Sequence, residues 1–384
     1  MAPGRASWPQ AVGRVSLNTE TPALPALTVK GISAVGVEVP MTFALGTSRG
    51  RIVKAPLLLI DVETAEGITG RAYLWSYFPR AMVAIASLLR EIEEQTKGKR
   101  IDPGERWDAL TERFALIGVQ GIVRMAMAGF DIACWDALAV AAGVPLVRLL
   151  GGEPRPIPAY NSCGLGLMPT DALADEAEKL LERGFRAIKV RLGYPTLAED
   201  LAAVHAVKAR VPNDVAVMVD YNQALSLDEA LVRGRALDRE NLAWLEEPIR
   251  HDDYAGAALV ARELSVPIQL GENFSLVAGM QTALNAKACD LVMPDLERIG
   301  GVSGWQAAAA FAAKRKIRMS SHLYPETSAH LLAVTPTAHF LEYVDWADKV
   351  LQEPLRIVDG HAVISDRPGH GMAWREDRIE AFLV

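Results

Sequence analysis

The sequence has few cysteines, no excess of basic residues and no long apolar run, and each lack excludes a class of protein. Three cysteines in 384 residues are an odd number without CxxC spacing, which argues against a disulfide framework and favours a reduced, cytoplasmic protein. The net charge of −7 argues against a nucleic-acid partner, because phosphate binding needs a basic surface. No apolar run reaches the roughly 18 residues that cross a bilayer, so no membrane partner is expected.

The chain is too long for one simple core, and the order of its elements divides it into four segments. Residues 1–26 are rich in Pro, Ala and Ser and are interpreted as a disordered leader or extension. Residues 27–155 place strands before helices, which predicts an N-terminal α+β capping domain. Residues 156–344 alternate strands with amphipathic helices and predict a modified (β/α) barrel of the α/β class. Residues 345–384 are expected to leave the barrel unextended and to pack back on the capping domain.

Five carboxylates and one histidine each follow a short apolar run. Counted from Lys189, the successive gaps between these polar residues are 31, 26, 26, 23, 27 and 20 residues. Each gap has room for one strand, one helix and two short loops, which is the repeat of a parallel barrel. Because the carboxyl ends of the strands meet at one mouth, these residues are expected to be neighbours there. They are Asp220, Glu246, Glu272, Asp295, His322 and Glu342.

Three of these acids indicate a metal site. Asp220, Glu246 and Glu272 end three consecutive strands, and carboxylates so close together need a compensating cation. A ligand set made only of oxygen favours Mg²⁺, with Mn²⁺ as a substitute, over zinc. The alternative is that each acid caps a helix or carries a loop charge, but three acids in register on successive strands favour the metal.

The next two strand ends indicate a general base. A carboxylate such as Asp295 beside an imidazole such as His322 fixes the tautomer of the ring and raises its basicity. The alternative is a structural histidine. Glu342 has apolar neighbours in HFLEYV, and a desolvated carboxyl there is expected to stay protonated and to donate a hydrogen bond to developing charge.

Seven motifs resemble those of one family. They are FRAIKVRLGYP, VMVDYNQ, WLEEP, GEN, MPDLERIGGVSGW, MSSHL and SAHLLAVTPTAHFLE, and the similarity extends from VEVP to the final FLV. The chain is similar to the mandelate racemase subgroup of the enolase superfamily. That resemblance implies a TIM-like barrel, Mg²⁺ on the three acids, and an Asp295–His322 base that serves one enantiomer. It also implies a small-molecule carboxylate substrate, which Glu342 hydrogen-bonds as it becomes an enediolate, and a homo-oligomer.

The resemblance also implies a substrate cavity. It places Lys189 and Ser162 beside the substrate carboxylate and Asn222 near the substrate hydroxyl. The matching cavity positions are mainly apolar, which suits an aryl or alkyl group better than a polyol; they are Leu45, Ile52, Trp75, Tyr77, Leu116, Leu323 and Val344. The alternative is that these are ordinary core residues, and it is the preferred interpretation for Leu116 and Val344. Arg49 is the exception and is predicted to meet a second carboxylate or a hydroxyl.

One residue departs from the family pattern. Where the resembled family has Lys-x-Lys, this chain has Lys189-Val190-Arg191. Residues two apart on a strand face the same way, so Arg191 is expected to point into the mouth. Because a guanidinium is effectively always protonated, Arg191 is a poor base. It is predicted to act as a fixed cation or as a clamp for a substrate carboxylate.

Three functional hypotheses follow. The first is a racemase or epimerase of an apolar 2-hydroxy acid. It fits the family and the cavity, but Arg191 would be a poor second base for it. The second is an acid-sugar (aldonate or aldarate) dehydratase in which His322 removes the α-proton and later protonates the leaving hydroxyl. The third is a non-catalytic metal-binding protein, which the retention of the other catalytic positions disfavours. The first is preferred over the second.

Overall fold

The computed structural model describes residues 24–384, so most of the predicted leader lies outside the described residues. The first described domain is an antiparallel sheet in the order β1-β2-β3, followed by helices. Its elements are β1 (Val29–Thr47), β2 (Gly50–Thr64), β3 (Thr69–Trp75), α1 (Pro79–Thr96), α2 (Pro103–Arg113), α3 (Gly121–Ala141) and α4 (Leu146–Leu149). Strands before helices agree with the α+β composition predicted for this segment.

Helix α3 connects the first domain to the barrel. Its sequence is apolar on nearly every side, as expected of a helix surrounded by protein. It packs on β3 and also on two helices of the barrel that follow Asp295. A Cβ at Gly70 of β3 would lie 2.0 Å from the carbonyl oxygen of Ala133, so only glycine allows α3 to lie this close to the sheet.

The second domain is a closed parallel barrel, which confirms the predicted fold class. Its strands are β4 (Ile157–Asn161), β5 (Ala187–Arg191), β6 (Ala216–Asp220), β7 (Leu245–Glu246), β8 (Ile268–Leu270), β9 (Leu291–Val292) and β10 (Leu341–Tyr343). Between β9 and β10 the chain forms single parallel bridges at Met319 and His322. The barrel closes where β10 pairs in parallel with β4.

Helices connect successive strands of the barrel. They are α5 (Thr170–Leu180), α6 (Leu197–Arg210), α7 (Leu227–Leu237), α8 (Tyr254–Glu263), α9 (Leu276–Ala286), α10 (Leu296–Ile299), α11 (Gly301–Arg315) and α12 (Pro325–Ala333). Local sequence explains several of their starts. Thr196 and Glu199 form a capping box on α6, and Ser226 and Glu229 form one on α7. No helix among residues 24–384 is long and apolar enough to cross a membrane.

The C-terminal segment contains β11 (Arg356–Val358), β12 (His361–Val363) and α13 (Glu376–Phe382). The expectation that this segment leaves the barrel unextended is wrong, because β12 pairs antiparallel with residues 157–158 of β4. That pairing is available because β10 contacts β4 only from Ala159 onward. The segment also reaches the first domain, where Trp374 Nε1 donates to Asp61 Oδ1 at 2.7 Å. The four domain boundaries themselves stay a prediction.

Candidate active site

The strand ends bring three acids together at the mouth of the barrel. Asp220 and Glu246 are the last residues of β6 and β7, and Glu272 follows β8 by two residues. One carboxylate oxygen from each of the three lies within 4.8 Å of the others. The donors are all carboxylate oxygens, with no thiolate or imidazole among them, and this set fits Mg²⁺. When bound, the metal would act as a Lewis acid on the oxygens of a substrate carboxylate.

Lys189 lies against this cluster from β5. Its Nζ is 2.6 Å from Glu246 Oε1, 3.0 Å from Glu342 Oε1 and 3.4 Å from Asp220 Oδ2. Burial opposes the charge on Lys189, but the three carboxylates outweigh it and raise the pKa of the ammonium above its ordinary value. Lys189 is therefore a permanent cation among buried acids. Burial raises the pKa of Glu246 to about 8, because Lys189 offsets only part of the effect of burial and of the neighbouring acids.

Asp295 and His322 form the predicted pair. His322 Nδ1 lies 2.6 Å from Asp295 Oδ2, and His322 Nε2 faces Glu272 Oε2 at 3.3 Å. Asp295 Oδ1 also accepts the backbone N–H of Glu297 at 2.9 Å, so the same acid caps α10 and orients the ring. Burial lowers the pKa of His322, but the carboxylates around it outweigh burial and raise it to about 9. The nitrogen that faces the metal cluster is Nε2.

Glu342 differs from its prediction. Burial alone would raise the pKa of its carboxyl, but Lys189 and His322 hold that pKa well below its ordinary range. Its Oε2 accepts the backbone N–H of Leu323 at 2.8 Å. The direction of this shift opposes the expectation that Glu342 stays protonated, because apolar sequence neighbours do not reveal Lys189 and His322, which approach it from other strands.

Arg191 is buried, as predicted, but its guanidinium contacts protein. Nη1 donates to the carbonyl oxygens of Ser162 and Gly164 at 2.8 and 2.7 Å, and Nη2 donates to Ser162 Oγ at 2.9 Å. The prediction that Arg191 clamps a substrate carboxylate is not supported by these contacts. Arg191 instead holds the end of β4, where Ser162 lies.

Asn222 lies beside the first metal-site acid. Its backbone N–H donates to Asp220 Oδ1 at 2.7 Å, and its Nδ2 donates to Asp220 Oδ2 at 3.0 Å. Its buried Oδ1 has no hydrogen-bond partner within residues 24–384. An unsatisfied acceptor at this position is available to a substrate hydroxyl, which is the role that the resemblance implied for Asn222.

The predicted cavity residues do not all reach the site. Trp75 stacks on Trp346 at 4.3 Å between ring centroids and meets Tyr77 at 5.6 Å. Leu45 and Ile52 face each other on the β1–β2 hairpin, and Leu323 is buried. Leu116 is 102% exposed in the turn after α2, so it is not a core residue, and its place in the cavity stays a prediction. Val344 is an ordinary buried core residue.

The guanidinium of Arg49 contacts protein. Its Nε donates to the backbone carbonyl of Asn222 at 3.1 Å, and its Nη2 donates to the carbonyl of Gln223. Two nitrogens of the guanidinium are therefore engaged by a barrel loop, and a contact of Arg49 with a second substrate carboxylate stays a prediction.

Three polar residues at the mouth were missed by the sequence analysis. Arg298 Nη1 donates to the carbonyl of Glu272 at 2.8 Å and to Asn273 Oδ1 at 3.1 Å, and its Nη2 contacts Tyr77 Oη. Asn273 Nδ2 in turn donates to Glu247 Oε2 at 2.9 Å. The motifs WLEEP, GEN and MPDLERIGG contained this signal, but only one residue of each had been assigned a role.

Replacing Glu342 tests its part in the site. We expect Glu342→Gln to lower turnover by roughly 10²-fold, because a carboxamide does not carry the charge that holds Lys189. Mg²⁺ affinity, measured by calorimetry, should stay unchanged because Glu342 is outside the three-acid cluster. Glu326→Gln is the matched control, since Glu326 is another buried acid and contacts Tyr73 away from the mouth. Equal turnover in Glu342→Gln and wild type would remove Glu342 from the mechanism.

A parallel barrel whose mouth holds three clustered acids and a buried His–Asp pair defines a metal-dependent barrel enzyme. Residues 30–151 match the family described as "Mandelate racemase / muconate lactonizing enzyme, N-terminal domain", and residues 172–378 match "Enolase C-terminal domain-like". The chain belongs to the enolase superfamily, in its mandelate racemase and muconate lactonizing enzyme branch. The predicted family is therefore confirmed, and the protein is an enzyme of the lyase or isomerase kind.

Three proteins that are similar to this chain indicate the chemistry of its relatives. The L-talarate/galactarate dehydratase of Salmonella typhimurium is 31% identical and aligns with 85% of this chain and 82% of its own. An enolase structure from the alpha proteobacterium bal199, with bound magnesium, is 43% identical with a TM-score of 0.92 and covers 93% of this chain and 100% of that chain. An enolase structure from Bradyrhizobium, with magnesium and mandelic acid, is 41% identical with a TM-score of 0.90 and covers 94% and 100%. Magnesium in both structures confirms the predicted cofactor.

Proposed function

We propose that this enzyme removes the α-proton of a 2-hydroxy carboxylate with His322 as its only base, and that its net reaction is dehydration of an acid sugar. The proposal is based on one observation, which is that the contacts made on the two faces of the mouth differ. On one face His322 is oriented by Asp295 at 2.6 Å, and on the other Arg191 donates to Ser162 and Gly164. On the first face His322 in its neutral form would accept the proton, whereas on the second face the guanidinium of Arg191 would not.

The substrate carboxylate would be held by the permanent cation Lys189 together with Ser162 and the metal on Asp220, Glu246 and Glu272. These groups would stabilise the negative charge that builds up on the substrate carboxylate as the α-proton leaves. Asn222 Oδ1, which has no partner among the described residues, would accept the hydrogen bond of the 2-hydroxyl.

In this dehydration His322 would carry out both proton transfers. His322 Nε2 takes the proton from C2, and the electrons of that bond move into the carboxylate. The C3–O bond then breaks, and the departing hydroxyl leaves as water with the proton that His322 carries. The product is an enol that tautomerises to a 2-keto acid. A single imidazole that serves first as base and then as acid is standard for such eliminations, so no second base is needed.

A second candidate is racemisation of an aryl 2-hydroxy acid. It is favoured by the apolar side chains of Trp75, Leu323 and the β1–β2 hairpin, since a polyol would leave its hydroxyls unpaired against them. The Bradyrhizobium relative was solved with mandelic acid, which is consistent with an aryl group in that protein. Racemisation needs proton transfer on both faces, and the contacts of Arg191 oppose this.

Incubation in deuterium oxide with Mg²⁺ separates the two candidates. A panel of aldonates and aldarates is expected to give a 2-keto acid from at least one member, detected as its semicarbazone. Mandelate, which has no 3-hydroxyl, is expected to exchange its α-proton from one enantiomer only, the (R) form in the resembled family. Its configuration should be retained, because the deuteron returns to the same face.

Proton NMR and polarimetry on one mandelate sample decide the matter. Equal exchange from both enantiomers with matching racemisation, and no keto acid from any acid sugar, would replace the first candidate by the second. If no sugar acid and no mandelate reacts or exchanges with Mg²⁺ present, both candidates are wrong.

A further inference from the structure

The tip of the β1–β2 hairpin lies across the mouth of the barrel. Residues 45–52 of this tip are called the covering hairpin. On one side, the backbone N–H of Leu167 in the loop after β4 donates to the carbonyl of Gly46 at 3.1 Å. A Cβ at Gly166 would lie 2.5 Å from the backbone of Gly46, so any side chain there would hold the hairpin away from the barrel.

On the other side, the covering hairpin contacts the loop that follows Asp220. Ser48 Oγ donates to the carbonyl of Tyr221 at 3.1 Å, and Arg49 donates through Nε and Nη2 to the carbonyls of Asn222 and Gln223. Asn222 and Gln223 have φ values of 47° and 63°, both in the left-handed region. These two successive left-handed residues turn their carbonyls to the same guanidinium.

The acceptor that Arg49 uses belongs to the residue that holds a metal-site acid. The backbone N–H and the Nδ2 of Asn222 donate to the two carboxylate oxygens of Asp220, at 2.7 and 3.0 Å. One short chain of contacts therefore connects the covering hairpin, through Arg49 and Asn222, to the carboxylate of Asp220. Arg49 is exposed to solvent, so its contacts can form and break without opening the core.

We propose that Arg49 is a positioning residue that couples closure of the covering hairpin to Mg²⁺ binding at Asp220. When the cation orders Asp220, it orders Asn222 and the carbonyls that Arg49 contacts, and the closed hairpin is stabilised. By thermodynamic linkage the closed hairpin strengthens Mg²⁺ binding by the same factor. The coupling depends on the metal site and is independent of which net reaction the enzyme performs.

The covering hairpin carries its own reporters, because trypsin cleaves after Arg49 and Arg51. In the wild-type protein Mg²⁺ is expected to slow cleavage at both positions, as identified by fragment masses. Arg49→Lys keeps a trypsin site and the charge, but a lysine lacks the planar fork that reaches two carbonyls. In this variant we expect the protection by Mg²⁺ to fall by on the order of tenfold, and the Kd for Mg²⁺ measured by calorimetry to rise by the same factor.

Arg51→Lys is the matched control, because it makes the same change two residues along on another exposed side chain. This control should keep wild-type protection and Mg²⁺ affinity. The proposal is overturned if Arg49→Lys behaves like wild type, if both variants lose affinity equally, or if Mg²⁺ does not protect the wild-type hairpin. A wild-type protein that binds no Mg²⁺ in calorimetry would overturn the metal site itself, which distinguishes that failure from failure of the coupling.

Discussion

Removing Mg²⁺ with a chelator should abolish turnover and α-proton exchange, and added Mg²⁺ should restore both, with Mn²⁺ as a substitute. The reason is that Asp220, Glu246, Glu272 and Glu342 converge at the mouth, and Lys189 contacts three of them with a single positive charge. A Lewis-acid cation contributes several kcal/mol to the transition state. At about 1.4 kcal/mol per tenfold, its loss lowers the rate by at least about 10³-fold.

The variant Asp220→Asn is expected to have the same effect as removal of Mg²⁺, because it changes a residue of the metal site. The variant removes one charged ligand and keeps the side-chain shape, so both Mg²⁺ affinity in calorimetry and exchange in NMR should fall sharply. Asp214→Asn is the matched control, since Asp214 lies just before the other end of β6 and pairs with Arg186 on the surface. Full activity in a metal-free preparation, or unchanged Mg²⁺ binding by Asp220→Asn, would contradict the site.

His322→Asn is expected to lower α-proton exchange by roughly 10²–10⁴-fold, the range typical of a lost general base. Asparagine keeps a polar group toward Asp295 but accepts no proton at the position of Nε2. Proton NMR in deuterium oxide measures the exchange directly, without any need for the physiological substrate. Mg²⁺ affinity should change little, because His322 is not one of the three clustered acids.

Two further variants make the His322 result specific. His205→Asn changes a surface histidine that pairs with Glu240, and it should exchange at the wild-type rate. Arg191→Lys places a group that accepts a proton on the opposite face and should increase racemisation of mandelate. If His322→Asn exchanged at the wild-type rate, or if Arg191→Lys left racemisation unchanged, the assignment of the two faces would be wrong.

The acids of the metal cluster were predictable because their residue type and their spacing both indicate a metal site at the mouth of a barrel. In a parallel barrel every strand end reaches one mouth, so Asp220, Glu246 and Glu272 had to approach one another once the strand–helix repeat was recognised. The same argument brought Asp295 to His322. Backbone topology alone places these short side chains, and little freedom remains in where their carboxylates lie.

Long side chains and charge states were not predictable in this way. Arg191 and Arg49 were expected to meet substrate, but both guanidinium groups found backbone carbonyls, which carry no signature in the sequence. Leu116 was preferred as an ordinary core residue, and a short turn after α2 exposes it instead.

The sequence by itself determined the barrel, the metal-site acids and the His–Asp pair, because these follow from periodicity and from residue type at strand ends. Only the tertiary structure showed that the pKa of Glu342 is lowered, since Lys189 and His322 reach it from two other strands. It also decided the partners of Arg191, since the acceptors of its guanidinium come from a different strand end. Electrostatic state and the partners of flexible cations depend on distances across the barrel, and these distances exist only once the chain has closed on itself.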